Sequence, residues 1–123
     1  MSLTLDENAA QYQIRAYKPG QIQVNDQVYT RSLIITSQKL MPDWRPAHIS
    51  ALTKDDLAII KTLHPTILLI GTGTTLQFPP LALYGDLINH GIGVEIMDTS
   101  AACRTYNVLT AEERNVVAAL IIQ

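Results

Sequence analysis

Two polar turns carry the residue types best suited to chemistry in this chain. The first, Gly71, Thr72, Gly73 and Thr74, follows an apolar run at residues 66–70. The second, Asp98 and Thr99, follows an apolar run at residues 92–97 and opens a segment bearing Arg104 and Asn107. Glycines after a buried strand permit a tight turn and let backbone N–H groups approach an anion. A carboxylate at a strand end suits a general base, a ribose ligand or a helix cap. An arginine one to two turns further on suits a carboxylate or a phosphate, because its planar fork matches both. If the two runs are parallel neighbours, both turns meet at one edge of the sheet, where open α/β sheets bind ligands. These eight residues form the candidate ligand-binding set. Each also has a plainer reading: a tight exit turn for the glycines, a helix cap for Asp98, an internal salt bridge to Asp98 for Arg104. The residues alone leave both readings open.

Neither turn completes a nucleotide-binding signature. The dinucleotide fingerprint needs a third glycine opening a helix, and that position holds Leu76; a Walker loop needs a lysine, which this turn lacks. Cys103 lies near a helix start, which lowers a thiol pKa, but nothing in the pattern brings a histidine beside it, so a buried structural thiol is the plainer reading. His48, His64 and His90 lack metal-ligand spacing. No catalytic residue, metal or cofactor is assigned. Trp44, between Pro42 and Pro46, reads as a lid over the core or an anchor for a partner. Glu113 reads as the acid of a capping box begun by Thr110.

Positioning the two turns takes a sheet with helices packed on it. Tyr12, Ile14 and Ala16 alternate with polar neighbours, the period of a half-buried strand. Ile22 and Val24 alternate next, and Asn25 with Asp26 has the form of a hairpin turn. Val28, Tyr29 and residues 32–36 continue as a third strand running into the core. Thr53 and Asp56 form a capping box for a helix that stops near His64, before Pro65. Residues 66–70 and 92–97 read as buried strands, joined by a helix from Pro79 and Pro80 to a C-cap at Gly91. Thr99 or Ser100 caps a third helix running to about Leu109, and residues 116–122 form a closing strand. The fold class expected is α/β: a single domain over residues 1–123, with a mixed β-sheet, a parallel βαβ unit, helices packed on the sheet and an N-terminal antiparallel β-meander. Residues 1–10 are expected to be frayed.

Composition narrows the function classes. The chain is 47% hydrophobic and 16% charged, values of a globular protein. A net charge of −2 and nine scattered Lys and Arg argue against nucleic-acid binding, which needs a basic face. One cysteine fits a reducing compartment, and neither a signal peptide nor a membrane-spanning run is recognised. The expectation is a cytoplasmic protein.

The stretch Tyr17-Lys-Pro-Gly-Gln-Ile-Gln-Val-Asn-Asp, with Tyr29 and Ser32, then Gly71-Thr-Gly, then Met97-Asp-Thr-Ser-Ala-Ala-Cys-Arg-Thr-Tyr-Asn-Val-Leu with Glu113 and Val117-Ala-Ala-Leu, resembles a small uncharacterised α/β family. That family, of Mth938-like domains, includes a mitochondrial respiratory complex I assembly factor. The resemblance runs from about Tyr12 to Ile121. It implies a compact mixed-sheet domain acting through protein contacts, with no established catalytic residues to carry over. Family members often have a glycine before the arginine near the C-terminus, where this chain has Glu113 before Arg114. The leading expectation is a binding or assembly module with a protein partner. The alternative is a small-molecule or anion binder, or an unrecognised enzyme, using the carboxyl edge of the parallel strands. Homo-oligomerisation is left open.

Overall fold

The structure is a computed structural model and describes residues 10–123. The frayed segment expected at residues 1–10 lies, Ala10 apart, outside the described residues. Strands β1 (Ile14–Lys18), β2 (Gln21–Val24) and β3 (Gln27–Tyr29) form an antiparallel sheet in that order. Asn25 builds the second turn. Its side chain accepts the Gln13 N–H at 3.0 Å and donates to the Gln11 carbonyl at 2.9 Å. Its φ of 51° is one that asparagine tolerates.

The expected third strand divides in two. β3 stays with the small sheet, while β4 (Leu33–Thr36) joins a second sheet with β5 (Leu40–Met41), β6 (Ile67–Gly71), β7 (Gly93–Met97) and β8 (Val116–Leu120), in the order β5-β4-β8-β6-β7. The split follows from burial. Leu33, Ile34 and Ile35 are consecutive apolar residues, satisfied only between two covered faces, whereas Val28 of β3 remains 52% exposed. The two-residue edge strand β5 (Leu40–Met41) pairs with β4 and is too short to announce itself in the sequence.

β8 (Val116–Leu120) lies at the centre, antiparallel to β4 and parallel to β6 (Ile67–Gly71), which is in turn parallel to β7 (Gly93–Met97). The expected parallel βαβ unit is therefore present, with α2 (Leu81–Asn89) as its crossover. Alternation assigns the faces. Val116, Ala118 and Leu120 join a core with α3 (Thr99–Ala111) and the small sheet; Val117 and Ala119 join one with α1 (Ala58–Leu63) and α2. Covered on both sides, β8 is buried at all five positions.

Helix ends are set by a few side chains. Before α1, Thr53 donates its N–H to Asp56 Oδ2 at 2.8 Å, and Asp56 donates its N–H to Thr53 Oγ1 at 3.3 Å, the reciprocal capping box expected, though the first turn is 3-10. α2 ends with Gly91 at φ 84°; Gly91 N–H donates to Ile88 and Ile92 N–H to Leu87, a Schellman motif. α3 is capped by Asp98, as the cap reading of that residue has it and not by Thr99 or Ser100: its Oδ1 accepts the Ala101 N–H at 2.8 Å. At its other end the same Schellman motif recurs with Glu113 at φ 61° in the left-handed position. The glycine-to-glutamate departure thus leaves the turn intact. No Thr110 capping box forms, because the Thr110 hydroxyl donates to the Tyr106 carbonyl inside the helix.

Candidate functional site

The sequence places Gly71 to Thr74 and Asp98 to Asn107 at one sheet edge, and the structure brings the two turns into contact. Thr72 N–H donates to the Met97 carbonyl at 2.9 Å, Gly73 N–H to Thr99 Oγ1 at 2.8 Å, and Thr74 N–H to the Gln123 carbonyl at 3.1 Å. Thr99 N–H returns a bond to the Gly73 carbonyl at 2.9 Å. The Thr99 hydroxyl, fully buried, donates to the Ile121 carbonyl at 2.5 Å. The backbone donors that would cradle an anion are thus directed at protein acceptors.

Both glycines are required by this close approach. A Cβ at Gly73 would lie 2.5 Å from the Gln123 carbonyl oxygen, and its φ is +100°. A Cβ at Gly71 would lie 2.9 Å from Thr99 Oγ1 and 3.1 Å from Thr99 Cα. Helices α2 and α3 leave β6 and β7 on opposite faces of the sheet, the arrangement that opens a ligand crevice in doubly wound folds. Here Thr99 and its partners stitch that crevice together.

Asp98 caps α3 at this edge, whereas Arg104 and Asn107 stand apart from it. The exposed Arg104 donates to Ser100 Oγ at 2.8 Å, one turn back on its own helix, and no ion pair to Asp98 forms among the described residues. Asn107 faces the small sheet: its amide accepts the Ile14 N–H at 3.1 Å and donates to the Ile14 carbonyl at 2.7 Å, standing in for a strand partner. Cys103 is 5% exposed, and burial pushes its thiol up to about 12, the environment of a buried structural thiol. Tyr106 is enclosed beside it, donating to the Tyr12 carbonyl at 2.7 Å.

An open recess of about 370 Å³ lies at the other flank of the turn, over the ends of β6 and β8. Thr72 and Thr74 line it together with Thr75, Gln77, His48 and Gln123. Gln77 and Gln123 were not singled out in the sequence, and His48 was weighed there only as a metal ligand. Their approach depends on β8 lying next to β6, and the one legible signal was the uniformly apolar run at 116–122, the mark of a central strand. Among the described residues, no group of three or more His, Cys, Asp or Glu is placed to hold a metal.

The loop carrying Trp44 is a lid. The indole packs against the core of the α1–α2 face and donates to the Asp56 carbonyl at 3.0 Å. Arg45 clamps the Asp56 carboxylate with Nε and Nη2 at 2.8 and 2.6 Å. That fork, with the Thr53 bonds, lowers the carboxyl to about 2.

A second kind of surface is apolar. Leu76 is 50%, Phe78 70%, Leu81 63% and Ile88 46% exposed. Phe78 and Leu81 flank the two prolines that lead into α2, and Leu81 and Ile88, a heptad apart, share a helix face.

A family described as a protein of unknown function (DUF498/DUF598) matches residues 14–121. The chain belongs to the DUF498/DUF598 family. One protein the chain is similar to is the 13 kDa major membrane protein of Francisella tularensis subsp. holarctica, 31% identical over 97% of this chain and 99% of the relative. Another is NADH dehydrogenase [ubiquinone] 1 alpha subcomplex assembly factor 3 of Danio rerio, 28% identical over 98% of this chain and 70% of the relative. A Mth938-like domain of Bordetella pertussis, solved in solution, superposes with a TM-score of 0.82 at 27% identity, covering 99% of this chain and 92% of that one. The family resemblance carried by the Asp98 to Asn107 stretch and by the N-terminal hairpin is thereby confirmed, and so is the mixed α/β fold. No helix among the described residues is long and apolar enough to cross a membrane.

Proposed function

We propose that this member of the DUF498/DUF598 family is a protein-contact module of the assembly-factor kind, engaging an uncharged apolar surface of a partner polypeptide. The observation that carries this reading is the exposed apolar set led by Phe78. A 70% exposed phenylalanine beside Leu76 and Leu81 is costly in water unless another surface covers it. From Thr72 to Asn89 the chain holds one charged residue, Asp86, and that is paired with Lys61. The absence of Lys and Arg in this stretch favours a protein over an anionic bilayer, which would be held by basic side chains. The relatives named as NADH dehydrogenase assembly factors support the same direction. In this reading the protein works in the cytoplasm.

The test compares native mass spectra of the protein gently purified from its host, as wild type and as Phe78→Asp. Retention of a defined protein mass by the wild type alone supports the reading. Equal recovery by both, or a partner-free wild type, contradicts it.

A second reading, ligand binding at the carboxyl edge of the strands, is favoured by the recess beside Thr72 and Thr74. Of the set Gly71, Thr72, Gly73, Thr74, Asp98, Thr99, Arg104 and Asn107, we assign direct contact to the two threonines in that reading, and a supporting role to the others.

A further inference from the structure

A separate recess of about 380 Å³ opens where β4 begins, lined by Arg31, Ser32, Asp43, Trp44 and Gln123 among others. Three observations meet there. First, Ser32 is 4% exposed, and its Oγ is the one buried side-chain polar atom without a hydrogen-bond partner among the described residues. Native structures keep few such groups, and each has a reason. The backbone does not supply one: the Ser32 carbonyl accepts the Trp44 N–H at 2.8 Å, so the residue is anchored while its hydroxyl is left over.

Second, Arg31 next to it carries a loosely engaged guanidinium. Its side chain is 79% exposed and approaches Asp43 only to 3.7 Å, beyond hydrogen-bond length, with Asp43 itself 68% exposed. Arg45, in the same lining, is by contrast held by Asp56 and the Ala51 carbonyl. Third, Trp44 lines the recess, and its indole N–H is already committed to the Asp56 carbonyl. Asp43, adjacent, holds a left-handed φ of 60°, an unusual conformation that fixes this loop.

We propose that this recess binds a small carboxylate, held by the Arg31 guanidinium and the Ser32 hydroxyl, with its apolar body against Trp44. One available guanidinium beside an acid suits a planar, singly charged anion and not a phosphate dianion. The Ser32 hydroxyl is buried and unpartnered in the free protein, and in this proposal it rotates about its Cα–Cβ bond to donate to the carboxylate. The exposed Asp43 swings into water as the carboxylate takes its place. Two sources share this chemistry, a free carboxylic acid and the carboxy-terminus of a polypeptide.

Trp44 is the only tryptophan in the chain, so its fluorescence reads the recess directly. The full chain is titrated at constant ionic strength with sodium acetate, with acetyl-Gly-Gly bearing a free carboxy-terminus, and with the same peptide amidated. A saturable change with the free carboxylates and none with the amide is expected. Comparable binding of both carboxylates points to a free acid, and at least tenfold tighter binding of the peptide points to a polypeptide terminus. Arg31→Gln and Ser32→Ala each weaken binding roughly tenfold or more, the worth of a hydrogen bond to a charged group. Ser32→Ala also raises the unfolding midpoint of the free protein, because it removes an unpartnered hydroxyl; Arg31→Gln, at the surface, leaves that midpoint unchanged. No saturable response to either carboxylate overturns the proposal, as does a response that persists undiminished in both variants.

Discussion

Gly73 shows how one residue type supports two opposite readings. In the sequence, a glycine after a buried strand suggests a loop shaped around an anion. In the structure it gives room to the Gln123 carbonyl, 2.5 Å from where its Cβ would stand. Gly73→Ala is therefore expected to destabilise the fold by about 2–4 kcal/mol, from the clash and the positive φ together, with chemical denaturation as the measurement. A loss under about half a kcal/mol would show that the turn can relax. Glu113 is the converse case, a side chain where glycine fits. Glu113→Gly is expected to stabilise by about 0.5–1 kcal/mol, since relief of left-handed strain outweighs the added chain entropy. Asn107 explains why the site was less legible than the fold. Nothing local in the sequence says that its amide meets Ile14, because that partner lies ninety-three residues away.

Elements were legible where their signals are local. The capping box of Thr53 and Asp56, the glycine end of α2 and the apolar strands β6, β7 and β8 all depend on neighbours along the chain. The division of β3 from β4 and the pairing of β5 depend on which faces become covered, and that is decided by tertiary packing. The loop to α1 offers a test at this scale. Arg45 and Thr53 hold the Asp56 carboxyl at about 2, against an ordinary 3.8. A depressed folded-state value adds stability above the unfolded pKa, and that stability is lost as pH falls through the folded one. The Asp56 side chain is 7% exposed but its partner Arg45 is 59% exposed, so water screens the pair. Asp56→Asn is accordingly expected to cost about 1 kcal/mol at neutral pH, shrinking as pH drops from 4 towards 2. Urea denaturation of both proteins across that range measures it; a pH-independent difference would place the effect in the capping geometry alone.

For the whole molecule, the two faces of the central sheet are unequal. The face with α3 carries the small sheet as well, locked on through Asn107, Tyr106 and the bond from Gly20 N–H to the Ile122 carbonyl. The face with α2 keeps Phe78, Leu81 and Ile88 towards solvent. That asymmetry gives the assembly-type reading a location. The most direct measurement installs a photoreactive amino acid at position 78 or, as a control, at the exposed Arg15 of β1, and irradiates living cells. Position 78 is expected to yield one dominant protein adduct that position 15 does not. Equal adduct patterns at the two positions, or none at 78, would contradict the account.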